Sequence, residues 1–148
     1  MAGILPTGID ILDRKLDGGI PQGRVVVLSA SPASQSELFL YEMASPRQTT
    51  YLTTERTVPA VQDGLSQAGV SLDDIEIHDV DSSDSLADAR DAIDEIPSES
   101  TVIVDPMRRL ETAATEKYRS FLNELQRTAV ETDSLVLLHC LGGRRVPA

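Results

Sequence analysis

Five short apolar runs rich in β-branched residues recur along the chain, at 25–28, 50–53, 75–80, 102–104 and 135–138, and helical spacing fills much of the chain between them. Strands that alternate with helices return to the sheet by crossovers, which set neighbouring strands parallel and cover both sheet faces. The expected fold class is therefore α/β, a mostly parallel sheet flanked by helices, in one domain over residues 1–148.

The helices follow from apolar spacing. Residues 58–69 and 86–96 carry it, the second through Leu86, Ala89, Ile93 and Ile96 behind a Ser/Asp-rich start that can cap it. The strongest helix spans 115–130, where Tyr118, Phe121, Leu122, Leu125 and Ala129 form one core-facing stripe. Segment 79–84 concentrates carboxylates but lacks the glycine turn and closing glutamate of a calcium loop, so it reads as a loop leading into a helix. Cys140, the single cysteine, excludes an intrachain disulfide, and its apolar surroundings suit a small buried hydrophobe.

Charge narrows the range of partners. With 24 acidic against 13 basic residues the chain carries a formal charge of −11, which repels a phosphate backbone, so direct nucleic-acid binding is not expected. Abundant aspartate, two lysines and few aromatics resemble proteins of salt-adapted microbes, where molar salt screens such self-repulsion. No apolar stretch reaches membrane-spanning length and no secretory signal opens the sequence, so no membrane association and a cytoplasmic location are expected.

The stretch Pro6-Thr-Gly-Ile-Asp-Ile-Leu-Asp13, then Gly18-Gly-Ile-Pro-Gln-Gly23, then Val25-Val-Val-Leu-Ser-Ala30 resembles the opening of KaiC-like and RadA-like proteins of the RecA superfamily. In that family a short helix leads through such a turn to a strand and an ATP-binding loop. The resemblance covers nearly the whole chain and implies a RecA-type P-loop NTPase fold, here C-terminally short. A strand feeding a loop and then a helix starting near Glu37 would aim free N–H groups and a positive helix end at one anion site.

Against the family pattern G-x-x-x-x-G-K-[ST], Ala30 stands for the first glycine, Gln35 for the second, Ser36 for the lysine and Glu37 for the magnesium-binding hydroxyl. The phosphate-loop positions implied by the resemblance are Ser31, Ser34, Gln35, Ser36 and Glu37. Side chains at Ala30, Ala33 and Gln35 crowd a loop that needs backbone close to phosphate. Ser36 cannot neutralise developing phosphate charge, and a carboxylate at Glu37 competes with phosphate for the helix end.

Other positions of the resemblance persist. Val102-Ile-Val-Asp105 matches the strand whose aspartate orients magnesium through water, making Asp105 the implied metal-associated acid if Mg-ATP binds. Tyr51-Leu-Thr-Thr-Glu-Arg56 matches the strand end that carries a water-polarising glutamate, here Glu55, with Arg56 where a second acid often stands. The strand at 135–138 ending in His139 resembles the family's sensor strand, placed between the phosphate-loop strand and the Asp105 strand. Arg108, Arg109, Arg144 and Arg145 are candidate replacements for the missing lysine.

The family core continues past this strand, so the chain reads as either a naturally short form or a fragment. By family topology the strand at 25–28 is then an apolar sheet edge, expected to pair with another chain or to be covered by a terminal segment. The leading expectation is a non-hydrolysing regulatory or adaptor protein, without cofactor, acting on a protein partner or as a homo-oligomer. The alternatives are an atypical ATP-binding protein or slow ATPase using Mg-ATP, and a recombination or repair accessory.

Overall fold

The computed structural model describes residues 3–30, 36–80, 85–107 and 115–141. In chain order these form β1 (Ile4–Leu5), α1 (Asp10–Lys15), β2 (Ile20–Pro21), β3 (Arg24–Ala30), α2 (Ser36–Met43), β4 (Thr49–Thr53), α3 (Val58–Gln67), β5 (Ile75–Asp79), α4 (Ser85–Ile93), β6 (Thr101–Asp105), α5 (Thr115–Thr132) and β7 (Leu135–Leu141). Strands β3 to β7 make one five-stranded, all-parallel sheet in the order β3-β7-β6-β4-β5. The α/β fold expected from periodicity is thus present, with β7 between β3 and β6 and with β3 at an edge.

Every residue of β4 and β6 is buried, as befits strands covered on both faces. Alternation along each strand divides the core into two. Tyr51, Ile103, Leu135 and Leu137 face one layer with Leu40, Tyr41, Val61 and Leu65 from α2 and α3. Leu52, Val102, Val104, Val136 and Leu138 face the other with Ala89, Ile93, Phe121, Leu125 and Ala129 from α4 and α5. The stripe read on α5 is the packed one, with Tyr118 and Leu122 at its margin. Cys140 packs half-buried against the same layer.

Boundaries shift where local signals compete. Strand β3 extends on both sides of 25–28, because its parallel ladder with β7 continues from Arg24↔Leu135 to Ala30↔Leu141. Helix α4 ends at Ile93, three residues before the apolar period does, and Ile96 still packs on the core from the following turn. Helix α3 starts at Val58 behind Thr57, whose side chain accepts from the Ala60 amide as an N-cap.

The Gly18–Gly23 turn is more ordered than a connector, since β2 pairs antiparallel with β1. Thr7, fully buried, ties the segment before α1: its amide and hydroxyl both donate to Asp13 Oδ1, at 2.8 and 2.7 Å, and its Oγ1 accepts from the Ile9 amide at 3.1 Å. Arg47 braces the same segment from α2's far end, donating to the Pro6 carbonyl and, at 2.8 Å, to Thr101 Oγ1.

Gly19 has φ of +144°, and a Cβ there would collide with the Leu5 carbonyl oxygen and meet Pro6 Cα at 2.8 Å. Gly19→Ala is expected to lower stability by about 1–3 kcal/mol, read from the urea midpoint, because both backbone conformation and hairpin contact must shift. Among the described residues no helix is long and apolar enough to cross a membrane.

Candidate functional site

In a parallel sheet, adjacent strands whose outgoing crossovers leave on opposite faces open a crevice at their carboxyl ends, where ligands of such folds bind. Here that point lies between β4, whose crossover through α3 covers one face, and β6, whose crossover through α5 covers the other. Residues at the ends of β4, β6 and β7 converge there.

Strand parity selects which. Tyr51 pairs with Ile103, so on the shared face it lies diagonal to Asp105 two residues on. Leu137 also pairs with Ile103, which places His139 beside Asp105 on that face. Asp105, Tyr51 and His139 are all fully buried.

The Asp105 carboxylate receives three donors. Tyr51 donates its hydroxyl to Oδ2, Arg56 Nη1 donates to the same oxygen at 2.8 Å, and His139 Nδ1 lies 2.7 Å from Oδ1. A carboxylate only accepts, so Nδ1 of His139 carries the hydrogen. Arg56 also donates to Tyr41 Oη at 3.3 Å, and the Tyr41 and Tyr51 rings sit 6.3 Å apart.

Burial by itself would raise the pKa of Asp105, but the hydrogen bonds from His139 and Tyr51 and the positive charge of Arg56 outweigh it and hold the carboxyl below its ordinary value. Burial first, and then the neighbouring carboxylate, push the Tyr51 phenol well above its ordinary value, so it remains a donor. The site is a buried anion held by three donors, the Arg56 guanidinium among them.

Backbone bonds seal the crevice. The Thr54 amide donates to the Asp105 carbonyl at 3.1 Å, Thr54 Oγ1 donates to the Pro106 carbonyl at 2.7 Å, and the Met107 amide donates to the His139 carbonyl at 2.9 Å. Arg56 is oriented by Thr53, whose hydroxyl donates to the Arg56 carbonyl at 2.9 Å and accepts from its amide at 3.1 Å.

A hydrated magnesium ion does not fit this arrangement. Three of roughly four acceptor directions on Asp105 are taken, and the nearest cation position is filled by a guanidinium that would repel a second charge. Among the described residues no group of three or more His, Cys, Asp or Glu could hold a metal ion.

The other expected positions are scattered. Glu55 lies exposed in the bend after β4, while its neighbour Arg56 turns inward to Asp105. Ser36 and Glu37 open helix α2, which starts six residues after Ala30, the last residue of β3. Ser31, Ser34, Gln35, Arg108, Arg109, Arg144 and Arg145 lie outside the described residues, as does most of segment 79–84.

Residues 4–148 match a family of unknown function, DUF7125. The chain belongs to the DUF7125 family. No curated protein matches it. In this DUF7125 chain the residues that sequence reasoning missed as site members are Tyr51 and Arg56. The available signal was parity: Tyr51, two residues before the strand end, shares a sheet face with the last residue of any strand paired in the same register.

Proposed function

We propose that this protein is a non-hydrolysing homologue of RecA/KaiC-like ATPases, a regulatory or adaptor protein that acts through protein–protein contacts. The observation that carries the reading is the state of Asp105. The acid that the family pattern assigns to magnesium is buried and committed to Tyr51, Arg56 and His139. Without metal to bridge the phosphates and without a lysine at position 36, phosphoryl transfer lacks both of its usual charge-neutralising groups.

Two features support action through a partner. Strand β3 is a seven-residue edge with no second neighbour among the described residues. Val27 on it, Phe39 on α2 and Val130 on α5 are at least half exposed, at 58%, 50% and 59%. An unpaired apolar edge recruits strands from other chains.

Calorimetric titration with Mg-ATP, in low salt and again in molar salt, is expected to show no saturable heat at millimolar nucleotide in either. Saturable binding accompanied by turnover that disappears in Asp105→Ala would replace this reading with that of a slow ATPase.

A further inference from the structure

At the end of the sheet opposite Asp105, a cavity of about 190 Å³ opens between the start of β4, the start of β5 and the turn after α4. Gln48, Thr49, Thr50, Asp73, Asp74 and Glu76 line it, so three acids, one amide residue and two threonines border the space, and no basic residue is among its lining.

Thr50 makes this more than a group of surface acids. It is 5% exposed, it lines the cavity, and no hydrogen-bond partner for its hydroxyl is found among the described contacts. Its oxygen is not among the sealed polar atoms, so within a strand paired on both sides it keeps its hydrogen-bonding capacity for water or a ligand in the cavity.

We infer that this cavity binds the guanidinium or ammonium group of a small organic cation or of a basic side chain. The lining offers carboxylates and hydroxyls, which match a cation carrying several N–H donors. The carboxylates do not converge as metal ligands do, since among the described residues no group of three or more His, Cys, Asp or Glu could hold a metal ion. Its volume lies below the usual range of about 300–1,000 Å³ for drug-sized ligand pockets. Glu76 keeps one oxygen on His78 Nε2 at 2.6 Å, which leaves its other oxygen and the two aspartates for the ligand.

The test titrates the full chain at low ionic strength with agmatine, with putrescine and with a capped arginine tripeptide. Saturable binding of at least one is expected, weakened about tenfold or more by Thr50→Val, which keeps the side-chain shape and removes the hydroxyl. Asp74→Asn, an exposed substitution, is expected to weaken it severalfold. Preference for agmatine or putrescine over the tripeptide assigns a free amine, and the opposite preference assigns a polypeptide side chain.

Absence of saturation at millimolar ligand overturns the inference. So does affinity unchanged in both variants, or displacement by magnesium chloride no different from sodium chloride at equal ionic strength together with that unchanged affinity. These outcomes are independent of nucleotide binding, whose site would lie at the other end of the sheet.

Discussion

Asp105→Ala is expected to lower the free energy of unfolding by about 3–5 kcal/mol, the range for removing one member of a buried charged pair. The loss is larger than one ion pair suggests because three donors lose their acceptor together. His139 and Tyr51 are fully buried and keep an N–H and an O–H without this partner, whereas Arg56, 28% exposed, can turn partly to water. Arg56→Ala should therefore cost less than Asp105→Ala, and Tyr51→Phe less still, about 1–3 kcal/mol for one hydrogen bond to a charged acceptor. Urea denaturation of the three variants reads the order, and Asp105→Ala as the mildest of them would contradict a central role for the carboxylate.

The same network sets an acid dependence. The folded-state pKa of Asp105 lies below its ordinary value of 3.8, so its contribution is fully present above that value and is lost as pH falls through the lower folded value. The urea midpoint of the wild type is expected to fall in this acid window more steeply than that of Asp105→Asn, which has no carboxyl to titrate there.

Phe121→Ala is expected to cost about 3–5 kcal/mol, the usual range for deleting a buried phenyl group. The ring is fully buried in the layer formed by Val102, Val104, Val136 and Leu138 beneath Ala89 and Ile93. Rigid parallel strands on one side and α4 on the other leave little room to collapse into the void, so transfer and cavity contributions add. Val130→Ala on the same helix, where the side chain is exposed, should change stability by less than about 0.5 kcal/mol. The contrast separates packing from helix propensity, and equal losses at both positions would contradict the assigned orientation of α5. Since α5 is the crossover that sets β6 beside β7, its packing also holds Asp105 next to His139.

The Asp105 site bears on the proposed function in a second way. On the proposed reading, Arg56 stands where the family resemblance would set a second acid, which along the chain reads only as a lost pairing. In space it is a gain, because it supplies a resident cation to the carboxylate that the pattern assigns to magnesium. That resident cation, on the proposed reading, takes the place of the metal at this carboxylate.

Much of this protein was legible in its residue order, because the physics involved is local. Runs of β-branched residues buried on two faces specify β4 and β6, and a 3.6-residue apolar period specifies α5. The ends of α4 and β3 depart from the residue pattern by a few residues, since a ladder or a turn overrides propensity at termini. Asp105 itself could be singled out, as an acid closing an apolar strand. Its bond to Tyr51, 54 residues before it, could not, and His139, 34 residues after it, could be set near it only through the strand that the resemblance places beside the Asp105 strand. Which side chains meet across a sheet depends on strand order and register, and a one-residue slip would have turned Tyr51 or His139 to the opposite face. Residue order alone therefore determined the layers and their cores, whereas tertiary pairing decided that a lone acid became a sealed, charge-compensated cluster.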